Sequence, residues 1–237
     1  MRQPAGTPWR LEANAASATS LAHCELLGAP AAIDLAHPRL GLRLADGAAS
    51  ILGLQLGTTL LDIGGAVEPT ESYVRGADLV ATYNETETRP LRVQAYWHIA
   101  ELARLPRYDD ARLIELQVSI NTSLLDLRPT LDVVTTTGAP VERLSIGEAS
   151  AWLVRLPHVP YTYIEIPHPR DCARTAFAPA AGEAKNVLRH TLFGRKLEKG
   201  VIMRGRVRGA LVPRDSDVAA AEALVDDLLE AAPPLTT

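Results

Sequence analysis

The chain has 237 residues, of which 47% are hydrophobic and 22% charged, and its formal net charge at pH 7 is −4. This composition is typical of a soluble globular domain and excludes a disordered, collagen-like or disulfide-rich chain. The negative net charge predicts no nucleic-acid partner. No run reaches the ~18 consecutive apolar residues of a membrane span, so no membrane partner is predicted either.

Compartment and redox state are predicted from the N-terminus and the cysteines. Residues 1–6 are not followed by the apolar run of a signal peptide, so the sequence predicts a cytoplasmic protein. Cys24 and Cys172 form no paired metal-binding motif and are interpreted as buried free thiols. The large excess of arginine over lysine is typical of a GC-rich bacterial genome.

In chain order, residues 1–20 show no clear period and are predicted to form a loosely ordered N-terminal arm, with residues 21–237 as a single β-sandwich domain. Short apolar-alternating runs interrupted by Gly, Pro, Asn and Asp predict an all-β, many-stranded and mainly antiparallel sandwich. The predicted strands are 22–27, 31–36, 40–45, 50–56, 72–75, 78–84, 91–99, 112–121, 131–137, 142–146, 150–156, 161–166, 172–178, 187–193 and 200–212.

The clearest strand is 91–99, which predicts Val93 and Trp97 on a buried face and Gln94, Tyr96 and His98 on the opposite, polar face. Strand 112–121 alternates in the same way. Its polar face carries Glu115 and Gln117.

One amphipathic helix is predicted over 216–231, at the C-terminal end of the chain. Asp215 or Ser216 is expected to cap its first turn. Apolar residues that recur at helical spacing predict a buried stripe. These residues are Val218, Ala221, Leu224, Val225, Leu228 and Leu229.

No dinucleotide, phosphate-loop, nucleophile-elbow or zinc-protease motif is present, so the sequence predicts no cofactor and no metal. Strand parity nevertheless predicts one polar sheet face. The candidate ligand-binding residues are Gln94, Tyr96, Gln117, Tyr163, Arg155 and Arg206, and the candidate catalytic residues are His98, Glu115, Glu165 and His168. Such a face suits sugars, because aromatic rings stack on C–H faces and planar polar groups bond hydroxyls. The alternative to a binding site is that these residues form the ordinary solvent-exposed face of an antiparallel sheet.

Two further patterns concern charge. Arg204, Arg206 and Arg208 project from one face of a strand, where they would bind a carboxylate or phosphate or pair with cross-strand acids. Gly205 and Gly209 alternate with them and indicate close packing on the opposite face. A two-histidine and carboxylate metal set of His158, Glu165 and His168 is a minor alternative.

The many-stranded pattern with one terminal helix and a polar sheet face resembles the galactose-mutarotase-like β-supersandwich class over residues 21–212. The segment 192–201 has the strand–turn–strand pattern of that class. The resemblance implies a carbohydrate-binding fold that includes epimerases and lyases, and it carries over no catalytic residue.

Three functions follow as hypotheses. The first is recognition of a carbohydrate, or of a small anionic ligand, on the polar sheet face. The second is a sugar epimerase or lyase that uses a His and Glu acid–base pair. The third is a structural or interaction protein that acts through contacts of a homo-oligomer.

Overall fold

The computed structural model describes residues 7–13, 20–44, 47, 49–56, 66–101, 111–180 and 185–231. Two eight-stranded antiparallel sheets face each other. The first sheet has the spatial order β1 (Trp9–Ala13), β2 (Ser20–Leu26), β3 (Ala29–Asp34), β4 (Leu42–Leu44), β5 (Ala49–Gln55), β11 (Thr130–Thr137), β16 (Asn186–Phe193) and β15 (Cys172–Ala178).

The second sheet has the order β12 (Val141–Ile146), β13 (Ala149–Arg155), β14 (Tyr161–Pro167), β18 (Met203–Pro213), β9 (Arg112–Asn121), β8 (Arg92–Glu101), β7 (Asp78–Tyr83) and β6 (Glu71–Arg75). β10 (Asp126–Leu127) and β17 (Leu197–Glu198) form a separate short pair. Short 3₁₀ turns cover Pro38–Leu40 and Arg214–Ser216. The all-β sandwich predicted from the strand pattern is confirmed.

Helix α1 (Asp217–Glu230) covers the outer face of the second sheet over β13, β14 and β18. The described residues therefore form two apolar layers, one between the sheets and one between the second sheet and α1. Sheet strands under α1 are buried on both faces, whereas β6 to β9 keep a polar outer face. No helix in the described parts of the chain is long and apolar enough to span a membrane.

The parity predicted for β8 is confirmed. Val93 and Trp97 are fully buried between the sheets, and the Trp97 Nε1–H donates a hydrogen bond of 3.3 Å to the Leu52 carbonyl of the first sheet. The close packing predicted beside Gly205 and Gly209 is also present. A Cβ on Gly205 would lie 3.3 Å from the Phe193 ring of the opposite sheet.

Two local predictions are corrected. Within the arm predicted over 1–20, Trp9–Ala13 forms a strand paired with β2, and Trp9 is buried with its Nε1–H bonded to the Ala77 carbonyl. Residues 1–6 and 14–19 of that arm lie outside the described residues. Trp9, Leu11 and Ala13 do alternate with Arg10 and Glu12, but the prediction was wrong for 9–13 because five residues are a short run for a periodicity signal.

The start of α1 also differs from prediction. Ser216 occupies the N-cap position but makes no capping hydrogen bond with its side chain. Asp217 is buried instead, and its Oδ2 accepts hydrogen bonds from Arg155 Nε at 3.0 Å and Thr162 Oγ1 at 2.9 Å. The helix is thus held at its start by a carboxylate contact with the sheet. The predicted stripe residues Val218 and Leu229 are exposed, because the apolar face is narrower than the sequence pattern suggests.

Candidate functional site

Cross-strand register aligns the outward-facing side chains of the second sheet in three rows. The rows are Arg75–Asp78–His98–Glu115–Arg208, Tyr73–Val80–Tyr96–Gln117–Arg206 and Glu71–Thr82–Gln94–Ser119–Arg204. Residues directly opposite each other in an antiparallel pair project to the same side. The structure therefore places Gln94, Tyr96, His98, Glu115, Gln117 and Arg206 on one face, which is called the polar face below.

His98 and Asp78 form a hydrogen-bonded pair on the polar face. The His98 Nδ1–H donates to Asp78 Oδ1 at 2.7 Å, and Arg75 contacts the other carboxylate oxygen at 3.4 Å. The hydrogen bond with Asp78 raises the pKa of His98, and the same bond lowers the pKa of Asp78. The ring is partly exposed. Its Nε2 is therefore the atom available for proton exchange.

Glu115 lies opposite His98 on the next strand and is nearly buried. Its carboxylate accepts hydrogen bonds from Arg208 Nε at 3.0 Å and Gln117 Nε2 at 2.9 Å. Its charge also contributes to raising the pKa of His98. The predicted histidine and glutamate pair is therefore brought together, with the glutamate held by fixed donors.

The three aligned arginines of β18 have different partners. Arg208 pairs with Glu115 and with Asp227 of α1. The Arg206 guanidinium donates to the Leu228 and Ala231 carbonyls at 3.1 and 3.2 Å, where it complements the negative end of the helix. Arg204 differs from both. Its Nε is buried and has no hydrogen-bond partner among the described residues.

A cleft of about 810 Å³ opens beside Arg204 and Arg206 and is called the α1 cleft. Its walls are the loop from His168 to Asp171, the β12–β13 turn from Ile146 to Glu148, and the last turns of α1. Ile146, Val225 and Leu229 supply apolar surface. The cleft thus combines convergent polar groups and apolar surface in a volume typical of small-molecule sites.

His168 and Asp171 face each other in the wall of the cleft. His168 Nδ1 accepts the Arg170 backbone N–H at 3.3 Å and lies 3.7 Å from Asp171 Oδ2. The Arg206 backbone N–H donates to the same carboxylate at 3.2 Å. Burial lowers the pKa of His168 and raises that of Asp171. The imidazole is therefore neutral at pH 7, and the 3.7 Å contact is not an ion pair there.

Three predicted residues lie elsewhere. Tyr163 and Glu165 are fully buried between the sheets, not on the polar face. The prediction that Tyr163 and Glu165 lie on the solvent-exposed face of β14 was wrong. Helix α1 covers the other face of this strand, so Thr162, Ile164 and Ile166 are buried too, and alternating residues do not distinguish an exposed face from a buried one. Arg155 lies beneath the start of α1, with Glu142 at 2.6 Å and Asp217 at 3.0 Å.

The alternative metal set does not form. Glu165 faces the sandwich interior whereas His168 lines the α1 cleft on the other side of the sheet. Among the described residues, no three His, Cys, Asp or Glu side chains converge on a position that could hold a metal ion.

Sequence reasoning missed two groups as candidates. Asp78 was not among the candidate residues. Asp171 was not among them either. Asp78 could have been found from the antiparallel register, which places it opposite His98. Asp171 could not, because its position depends on a loop conformation.

Comparisons with known proteins give only remote similarity. No family model matches the sequence, and no curated protein matches it. Solved structures similar to this chain include "a putative mutarotase (YeaD) from Salmonella typhimurium", with TM-score 0.47 and 7% identity, covering 83% of this chain and 91% of that one. Another is a heparinase III, with TM-score 0.37 and 9% identity, covering 82% of this chain and 32% of that one.

TM-scores below 0.5 at such identities assign no activity to this chain. The structure thus defines the class of fold, a two-sheet β-sandwich with one helix at its C-terminal end, and its function has to be argued from its own residues.

Proposed function

We propose that this protein binds a carbohydrate in the α1 cleft. The observation that carries the proposal is the buried Nε of Arg204, which has no hydrogen-bond partner among the described residues and belongs to a residue lining the cleft. A buried donor without an acceptor costs about 1–3 kcal/mol. A ligand oxygen that reaches this nitrogen when the ligand binds would remove that cost, which supports a ligand that carries an acceptor group.

The remaining cleft residues fit a sugar better than a polyanion. The walls carry the acids Glu148, Asp171, Asp226 and Glu230 beside the arginines, so positive charge does not dominate. Carboxylates and guanidinium groups bond pairs of hydroxyls, and the apolar side chains can cover C–H faces of a sugar ring. We therefore expect a neutral sugar, or a sugar with a single carboxylate.

The first test is a thermal-shift screen of the wild-type protein with neutral hexoses and hexuronates. Ligand at 100 times its dissociation constant stabilises the native state by about 2.7 kcal/mol, which corresponds to roughly 5–10 °C for a chain of this size. A sugar that binds should shift the melting temperature by that amount. No shift with any sugar at saturating concentration contradicts the proposal.

The second test locates the site. Arg204→Gln should weaken a sugar found in the screen by about tenfold or more, because one charge-assisted hydrogen bond is lost. Arg43→Gln is the matched control, since Arg43 is an exposed arginine of β4 on the first sheet. Equal affinities of the two variants in calorimetry would show that the sugar binds elsewhere.

The second candidate function is proton transfer to or from a sugar by His98, as in an epimerase or lyase. The observation that favours it is the Asp78 hydrogen bond on Nδ1, which orients the ring and leaves Nε2 to exchange a proton, with Glu115 on the neighbouring strand. In this case a bound sugar should exchange a carbon-bound hydrogen for deuterium in D₂O.

The exchange experiment has a matched control. His37 also pairs through Nδ1 with an aspartate, Asp34, at 2.9 Å, but in the turn that follows β3 of the first sheet, away from the polar face. His98→Gln should abolish exchange measured by NMR, and His37→Gln should leave it intact. Exchange that survives His98→Gln would reject His98 as the acid–base group.

A further inference from the structure

A chain of polar side chains links the two sheets through the interior of the sandwich. Tyr163 Oη and Thr135 Oγ1 both donate to Glu165 Oε2, at 2.5 and 2.6 Å. The other carboxylate oxygen lies 3.0 Å from His190 Nε2. All four side chains are fully buried.

The chain continues from His190 to the edge of the first sheet. His190 Nδ1 lies 2.9 Å from Thr175 Oγ1, and Thr175 Oγ1 lies 3.6 Å from Cys172 Sγ. Cys172 Sγ also lies 3.2 Å from the Arg174 carbonyl oxygen. A β-bulge between Cys172 and Arg174 brings the thiol to the same side of β15 as Thr175. Thiol, imidazole and carboxylate thus stand in the order used to activate a nucleophile.

Access to this arrangement is one-sided. Glu165 and His190 are sealed in the core, whereas Cys172 is only half-buried and lies on β15, an edge strand with one neighbour. The ion pair of Glu165 and His190 has no water to compete with, and a cation held beside a thiol stabilises the thiolate. Cys24, the other free cysteine, is buried.

We propose that Cys172 is a modification site, a thiolate held by the His190–Glu165 ion pair that reacts with hydroperoxides. The sulfur attacks one oxygen of the hydroperoxide, and the S–O bond forms as the O–O bond breaks. The departing oxygen takes a proton from the Thr175 hydroxyl, and the His190 imidazolium replaces that proton through Nδ1. Cys172 is oxidised by two electrons to a sulfenic acid, and the hydroperoxide is reduced to an alcohol or to water.

The directions of the pKa shifts agree with this geometry. Burial alone would raise the pKa of Cys172, but the neighbouring His190 and Thr175 outweigh burial and lower it. Burial alone would lower the pKa of His190, but Cys172 and Glu165 outweigh it and raise the pKa to about 9. Burial raises the pKa of Cys24 to about 12.

The test treats the intact wild-type protein with hydrogen peroxide in the presence of dimedone, a trap for sulfenic acids, and maps adducts by mass spectrometry. Iodoacetamide labelling between pH 5 and 9 gives the pH dependence at each cysteine. We expect a dimedone adduct on Cys172 and none on Cys24. We expect the labelling midpoint of Cys172 to lie below the ~8.5 of a free thiol.

A variant tests the role of the imidazole. His190→Gln should slow labelling of Cys172 at pH 7 by about tenfold, because a free thiol is only a few per cent thiolate at that pH. His23→Gln, which changes a partly exposed histidine paired with Glu12, should leave the rate unchanged. If His190→Gln does not fold, the wild-type pH profile decides. A Cys172 midpoint equal to that of a free thiol, or no dimedone adduct, overturns the proposal.

Discussion

Replacing Trp97 by alanine tests the packing of the sandwich most severely. The Trp97 ring is fully buried between the sheets, and its Nε1–H bonds the Leu52 carbonyl on the opposite sheet at 3.3 Å. Removal of a buried tryptophan side chain costs about 3–5 kcal/mol in lost transfer energy and cavity formation. The Leu52 carbonyl would also lose its hydrogen-bond donor, and a buried acceptor left unsatisfied costs about 1–3 kcal/mol of stability.

We therefore expect Trp97→Ala to lower the free energy of unfolding by about 4 kcal/mol or more, a large part of the ~5–15 kcal/mol of a typical domain. Urea unfolding followed by circular dichroism measures this, with an unchanged m-value expected for a pure loss of stability. Trp97→Phe keeps most of the ring and should cost about 1–2 kcal/mol.

The control substitution is Arg92→Ala, which removes an exposed side chain from the same strand and should change stability by less than about 0.5 kcal/mol. A cost below about 1 kcal/mol for Trp97→Ala would refute the reasoning. It would mean that the ring is not part of the core and that the parity of β8 is reversed.

Two other predictions concern stability. The pKa of Asp78 is lowered and that of His98 raised, so their pair stabilises most between the ordinary values, about pH 4 to 6.5. The contribution of the pair falls as Asp78 is protonated below this window and as His98 loses its proton above it. His98→Gln should therefore remove both decreases from the pH dependence of the free energy of unfolding, measured with urea. An unchanged pH dependence in this variant contradicts the pairing. Gly209→Ala would place a Cβ 2.7 Å from Tyr163 Oη and should cost about 1–3 kcal/mol, whereas Gly205→Ala, at 3.3 Å from its nearest neighbour, should cost less. Equal costs would show that the Gly209 contact relaxes freely.

The side of the sheet to which each side chain points was predictable where a strand has one apolar and one polar face. For β8 and β9 the alternation placed Trp97 in the core and His98 beside Glu115. It failed for β14, because a helix more than fifty residues later in the chain covers that strand. Apolar and polar residues alternate in a strand only when one of its faces is buried and the other is exposed, and both faces of β14 are buried. The sequence pattern therefore could not show that Tyr163 and Glu165 are buried.

The candidate site was only partly predictable for a different reason. His168 and Arg206 were identified from the sequence, but the α1 cleft is assembled from four separated segments, at 146–148, 168–171, 204–206 and 225–231. Only the tertiary structure brings these segments together. It also determines that Arg206 and Arg208 are engaged by α1 while the Arg204 Nε has no acceptor among the described residues.

The most direct test of carbohydrate binding in the α1 cleft observes the Arg204 Nε–H itself. A ¹H–¹⁵N NMR spectrum selective for arginine Nε–H groups, assigned with the Arg204→Lys variant, can be recorded during titration with a sugar identified by thermal shift. We expect the Arg204 signal to move and saturate with the dissociation constant measured by calorimetry, because the ligand supplies the missing acceptor. A sugar that binds in calorimetry while the Arg204 signal stays fixed would contradict the account.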